Sequence, residues 1–206
     1  MKEQGIWNKV LWFSLIILVI GLVILIAGII FQNRTITELE SENELYKILL
    51  QVNAESKDLS MDSLLADEYY ELAGSDYENS NFRGVEQNCK IAREHYFKSA
   101  ESYRDLKIKL ENSGIEDKLI TLYSQTLSKL VDTENNMFEA CEYFESASRY
   151  YEKYFNDVDY NDADFEMGAS EIEKMNEKIL TRDKNVEDYK DLVSEFNLEL
   201  KKRLDK

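Results

Sequence analysis

The chain has 206 residues, no Pro and only 7 Gly, so the residues that break helices are nearly missing. That composition fits a helix bundle and lacks the turn chemistry of an all-β fold. The formal net charge is −16, and the first 34 residues hold Lys2, Lys9 and Arg34 against Glu3 alone, which leaves 40 acidic and 22 basic residues beyond them. A domain so acidic is repelled by phosphate backbones and by anionic headgroups, so no nucleic acid is expected as a partner and the domain should stand off the bilayer. High acidity also serves solubility.

Residues 10–31 carry no charge and only Ser14 as a polar side chain. At about 1.5 Å per residue this run spans about 33 Å, enough for one transmembrane helix. Trp7 and Trp12 fall where an interfacial aromatic belt belongs, and Lys9 can snorkel to the headgroups. The run is longer than a signal-peptide core, and Ala27-Gly28 is followed at once by Ile29, Ile30 and Phe31, so the expectation is an uncleaved signal-anchor. Lys2, Lys9 and the α-amino group precede the span and Arg34 follows it. This small basic bias favours a cytoplasmic N-terminus and an extracytoplasmic C-terminal domain.

The expected organisation is a tail over 1–9, the transmembrane helix over 10–31, a helical stalk over 32–60 and an acidic helical-bundle domain over 61–206. In the stalk, Ile36, Leu39, Asn43, Tyr46, Leu50 and Asn53 follow a 3-4 spacing. Such a coiled-coil-like seam allows a homo-oligomer through the stalk. Lys57 to Ser60 reads as an interruption, with Ser60 capping a helix that carries Leu64, Leu65, Tyr69 and Leu72 and ends near Asn79-Ser80-Asn81. The next helix is the clearest: Phe82, Val85, Cys89, Ala92, Tyr96, Ser99, Tyr103, Leu106 and Leu110 alternate spacings of three and four without a miss. Asn112-Ser113-Gly114 reads as its C-cap and turn.

A long helix to about Asn156 comes next. It has one stripe of Leu130, Met137, Cys141, Phe144, Tyr151 and Phe155 and a second of Tyr143, Tyr150 and Tyr154. Two adjacent stripes need two neighbours, so this helix should be central. After a polar connection, Ile172, Met175, Ile179, Val186, Tyr189, Val193, Phe196 and Leu200 mark the last helix, with Arg182 as a polar residue in its seam. Short turns between long helices imply antiparallel neighbours. The fold class is therefore all-α: a transmembrane helix, then an elongated antiparallel bundle or a short helical solenoid.

Tyr96-Phe97-x-Ser99-Ala100-x-x-Tyr103 recurs as Tyr143-Phe144-x-Ser146-Ala147-x-x-Tyr150, displaced by 47 residues. A shared packing need and a decayed duplication both account for it. Residues 66–97 resemble a single tetratricopeptide repeat. Tyr69 stands at its aromatic position, Leu72-Ala73 at its Leu-Gly pair, and Phe82 before its second helix, where Val85, Cys89 and Ala92 follow. The closing Pro is missing and no clean second copy follows. The resemblance implies a helical hairpin that presents a groove to a peptide or protein. The layout is also similar to that of membrane-anchored helical proteins of archaea and bacteria.

The only His is His95, with no Glu or His at a metal-ligand spacing, and residue 92 is Ala where a di-iron motif needs Glu. Phosphate-cradling Gly loops and nucleophile motifs are absent. Asp157 to Asp164 resembles a calcium loop but lacks its Gly, and Gly168 stands where its closing Glu belongs. Neither a cofactor, a metal nor a catalytic residue is expected. Cys89 and Cys141 lie 24 residues before and 28 after Ser113. In an antiparallel hairpin that offset is about 6 Å along the axis, near enough for a disulfide if the domain is external. A pair of buried free thiols is the alternative. The functional expectation is a non-enzymatic, membrane-anchored module presenting its acidic domain to a protein partner. The alternative is a ligand-binding or sensor-type ectodomain, which would need a separate signalling partner because nine residues precede the span.

Overall fold

The computed structural model describes residues 36–157 and 161–205, which form four helices: α1 over Ile36–Glu78, α2 over Phe82–Glu111, α3 over Lys118–Asn156 and α4 over Asp162–Leu204. The expected transmembrane segment, 10–31, lies outside the described residues. None of the described helices is long and apolar enough to cross a membrane.

The turns are short and chemically marked. Asn81 caps α2 by accepting from the Gly84 N–H at 3.3 Å, Asp117 caps α3 through Leu119 N–H at 2.7 Å, and Asn161 caps α4 through Ala163 N–H at 3.2 Å. Gly114, at φ +69°, supplies the left-handed residue after α2. The described chain therefore makes four passes, up, down, up and down. As its two stripes require, α3 packs along both α2 and α4; α2 packs along α1, and α1 meets α3 more sparsely.

Ion pairs fix how the helices slide past one another. Lys118 pairs with Glu199, Lys129 with Asp188, Lys178 with Glu139 and Lys153 with Asp164. Steps of 11, 10 and 14 residues along α3 are matched by equal steps back along α4. Between α2 and α3, Arg83–Glu152, Glu86–Arg149 and Arg93–Glu142 keep one register in the same way. Each exposed pair contributes little stability, about 0–1 kcal/mol. Their value is specificity: a slip of one helix against the next unpairs the whole ladder.

Two expectations about α1 are corrected. The helix is continuous through 57–60, where an interruption was expected. Lys57, Asp58, Leu59 and Ser60 include neither Gly nor Pro, and weak local propensity yields to packing on both sides. Residues of the expected stalk also belong to the bundle itself. Leu45, Tyr46, Leu49 and Val52 are buried with Leu110, Leu119 and Leu200. The buried face is thus set by Leu45, Tyr46, Leu49 and Val52. Of the expected Asn43-Tyr46-Leu50-Asn53 seam Tyr46 is buried, and the rest of the face lies one residue earlier, at Leu49 and Val52. That apolar face is consumed within its own bundle.

The distal part of α1 departs from expectation too. Ala66 and Ala73 are fully buried, whereas Leu72 is exposed. Small side chains let α1 pack closely along α2, and Leu72 is left exposed. Residues 66–97 do form an antiparallel hairpin, although its helices run far beyond the 34 residues of a repeat unit. The recurring octamer is buried in two different phases. Ala100 and Ala147 are buried in both copies, but Tyr96, Ser99 and Tyr103 are buried where Tyr143, Ser146 and Tyr150 are half-buried, and Phe97 is exposed where Phe144 is buried. A retained duplication would keep one phase, so shared packing chemistry explains the match better.

Candidate functional site

The end of the bundle farthest from residue 36 holds the α1–α2 turn, the last turns of α3 and the start of α4. The turn is stiff. Asp76 accepts from Asn81 Nδ2 at 2.9 Å and from Asn88 Nδ2 at 2.8 Å, while Ser80 sits at φ 58°. Gly84 is required here, since a Cβ would lie 2.3 Å from the Asp76 and Asn81 side chains.

On this base stands a connected set of rings. Tyr77 packs on Phe144 at 5.5 Å and Tyr151 at 5.9 Å between centroids. Phe82 stacks on Phe155 at 5.7 Å with 7° between planes, and Phe165 meets Tyr151 at 5.6 Å and Tyr154 at 5.3 Å. Gly168 lets α4 approach α3, because a Cβ there would lie 2.8 Å from the Tyr151 ring. The rings deep in this network are buried, but those at its rim are not: Phe155 is 55% exposed and Phe165 46%, and the nearby thioether of Met167 is 45% exposed. Beside Phe155 an open groove of about 390 Å³ is lined by Phe82, Arg83, Glu152 and the turn residues Ser80 and Asn81. Rigid rings exposed at one end of a stiff bundle can bury apolar and aromatic side chains of another protein at little entropic cost.

A second polar set lies in the interior. Ser63 Oγ donates to Glu134 Oε1 at 2.8 Å, and Tyr96 OH donates to Asp67 Oδ1 at 2.7 Å. Glu134 is only 4% exposed, and its Oε2 has no hydrogen-bond partner among the described residues. Burial pushes its carboxyl up to about 8, and Asp67 adds to the rise; the Ser63 and Ser99 hydroxyls and Arg182 oppose it. Sequence reading passed over Glu134, although it falls on the α3 stripe between Leu130 and Met137. A charged residue at a core spacing was the available signal. Nearby, His95 Nδ1 lies 2.7 Å from Asp62 Oδ1 and its ring stacks on Tyr69. No Ser, Thr or Cys hydroxyl or thiol joins this pair among the described residues, so it orients a side chain without forming a triad.

Below Glu134 a cavity of about 40 Å³ lies among all four helices, lined by Asn53, Ser56, Tyr103, Tyr123, Thr126 and Tyr189 among others. Burial raises Tyr123 and Tyr189 to about 12, keeping both phenols neutral. Its size admits ordered water.

Cys89 and Cys141 face each other across the α2–α3 seam as free thiols, both fully buried. Burial drives the Cys141 thiol far up, and its neighbour Cys89 pushes the same way. The described part of the acidic connection is used locally: Asp164 pairs with Lys153 at 2.8 Å and accepts from Asn161 Nδ2 at 3.1 Å. Among the described residues, no group of three or more His, Cys, Asp or Glu side chains is placed to hold a metal ion. No family model, curated protein or solved structure matches the chain.

Proposed function

We propose that this protein is a non-enzymatic, membrane-anchored interaction module whose bundle presents an aromatic tip to a protein partner. The observation that carries the reading is the exposure of Phe155, Phe165 and Met167 at one end of a rigid ring network. The apolar run over residues 10–31 supports a single-pass anchor, and the basic residues before it support an extracytoplasmic domain. Helix α1 begins five residues past that run and rises about 60 Å to the tip, which holds the rings clear of the headgroups.

The test is photo-crosslinking in the native membrane, with a benzophenone amino acid in place of Phe155 of the full chain. The expected result is one dominant protein adduct that disappears when Phe165 is changed to Ser. A probe at Leu180, 69% exposed on the flank of α4, should give no such adduct. Identical adducts from both positions, or none from Phe155, would overturn the reading.

A sensor-type ectodomain acting with a separate signalling partner is the second reading, and the tyrosine-lined cavity favours it. At about 40 Å³ that cavity limits the ligand to a few atoms. A rise in melting temperature with such a ligand would support this reading over the first.

A further inference from the structure

The exposed rings at the tip sit in a field of carboxylates. Its three cations are already engaged: Arg83 with Glu152, Arg149 with Glu86 and Glu145, and Lys153 with Asp164. Glu78, Asp162 and Glu166 add exposed negative charge around them. The groove beside Phe155 is lined by the Phe82 and Phe155 rings, by the neutral Ser80, Asn81 and Asn156, and by a single carboxylate, Glu152. It also seats one guanidinium from its own chain. Arg83 Nε donates to Glu152 Oε1 at 2.8 Å, yet the Arg83 side chain is 85% exposed and its partner only 28%. An arginine so exposed is held weakly, while the more sheltered carboxylate of Glu152 lines the same groove as the Phe155 ring, which is more than half open.

From this arrangement we infer that the tip groove receives a cationic segment of a partner protein, in which an arginine next to an apolar or aromatic side chain displaces Arg83 from Glu152. The incoming guanidinium pairs with Glu152 and lies over the Phe155 ring, and the neighbouring apolar side chain fills the groove. Charge and ring then recognise one side chain together, the geometry in which a cation over an aromatic face is strongest. Arg83 acts as a built-in competitor that keeps Glu152 paired in the unbound state. The inference rests on the reading of the tip as a protein-binding surface and adds the chemistry of what binds there.

The test uses the full chain in nanodiscs of uncharged lipid and two fluorescein-labelled peptides, Gly-Arg-Phe-Arg-Arg-Leu-Ala-Arg-Gly and its charge-matched partner Gly-Arg-Gly-Arg-Arg-Gly-Ser-Arg-Gly, followed by anisotropy. The apolar peptide should bind about ten-fold tighter than the matched one, and Glu152→Gln and Phe155→Ala should each weaken it about ten-fold. Arg83→Ala should tighten binding of the apolar peptide by about two- to five-fold, whereas Arg83→Gln combined with Glu152→Gln, which leaves the local net charge unchanged, should give no gain. Glu187→Gln, on the exposed face of α4, controls for net charge and should leave affinity within about two-fold. Equal binding of the two peptides would overturn the inference. So would equal losses from Glu152→Gln and Glu187→Gln, or no gain from Arg83→Ala. Spermidine competing as well as the apolar peptide would reduce the groove to a cation sink and would also overturn it. A crosslinked partner lacking a basic apolar segment would sink this inference while leaving the interaction module standing.

Discussion

The two halves of the bundle bury different chemistry. The half nearest residue 36 is mostly branched aliphatic: Leu45, Leu49, Val52, Leu110, Leu119, Leu127 and Leu200 are buried there, with Tyr46, Tyr103 and Phe196 among them. The half nearest the tip combines small residues, Ala66, Ala73, Ala92 and Ala140, with Tyr96 and Phe144. Large aliphatic side chains bury the most apolar area per residue and hold the helices together. Small residues bury less but bring backbones close, so the rings between them are held rigidly and emerge at the end. One half supplies stability, and the other spends apolar surface on display. Glu134 and its polar neighbours sit near the boundary between them.

The largest effect should come from breaking the aliphatic half. Leu127 is fully buried, so Leu127→Ala removes its transfer energy and leaves a cavity beside the existing void, costing about 3–5 kcal/mol. Urea unfolding gives the number. A loss below about 1 kcal/mol would mean that this half is loosely packed. The boundary gives the next effect, and it depends on pH. Glu134 holds its proton up to about 8 in the native state, whereas an unfolded carboxyl releases it near 4.5. The native state then binds one more proton, so this contribution is full below the unfolded value and declines as pH rises toward 8. Groups facing Glu134 are Ser63 and Asp67 from α1, Ser99 from α2 and Arg182 from α4. Relative to Glu134→Gln, the wild type should lose about 3 kcal/mol between pH 5.5 and 8. Parallel stability curves for the two proteins would show that Glu134 does not titrate in this range.

What the sequence makes legible follows the same division. Every position named in the α2 stripe from Val85 to Leu110 is buried, Ser99 included, because a small or apolar residue recurs every three or four; Ala100, buried beside Ser99, lies outside that spacing. In α1 the reading fails in two ways. Tyr46 is buried as its spacing suggests, but Leu50 and Asn53 put the seam one residue past Leu49 and Val52, since apolar residues there run on both sides. Farther along, Leu64, Leu65 and Leu72 outweigh Ala66 and Ala73 in any hydrophobic pattern, yet the alanines make the closest contacts. A periodicity argument weights size, whereas close packing against two helices selects for smallness. The charge ladders were legible in principle, as opposite charges equidistant from a turn, but only once the turn and the antiparallel pairing are known. The tip was not legible at all. Phe155 reads as core by spacing, and only the end of the bundle exposes it.

Filling the small-residue half should cost less than emptying the aliphatic one. Ala92 is fully buried, and Ala92→Leu forces the surrounding helices apart at about 1–3 kcal/mol. The displacement should loosen the same seam that seals the thiols. In the wild type, Cys89 and Cys141 should resist a thiol reagent until unfolding, and Ala92→Leu should make them react in the folded state. Prompt labelling of the native wild type would show that the seam opens by itself.

The smallest effect on stability belongs to the tip, and it separates the two halves most sharply. Phe155→Ser and Phe165→Ser remove rings that are about half exposed, whose packing on Phe82 and Tyr154 is lost but whose removal opens no sealed cavity. Each should shift the unfolding free energy by only about 0.5–1 kcal/mol, a fraction of the Leu127→Ala loss. Crosslinking to a partner should nevertheless vanish. A ring kept for folding would show the opposite ratio, a large stability loss with binding impaired only in proportion to the fraction unfolded. Little cost to the fold together with loss of capture would assign the two exposed rings to the partner rather than to the core.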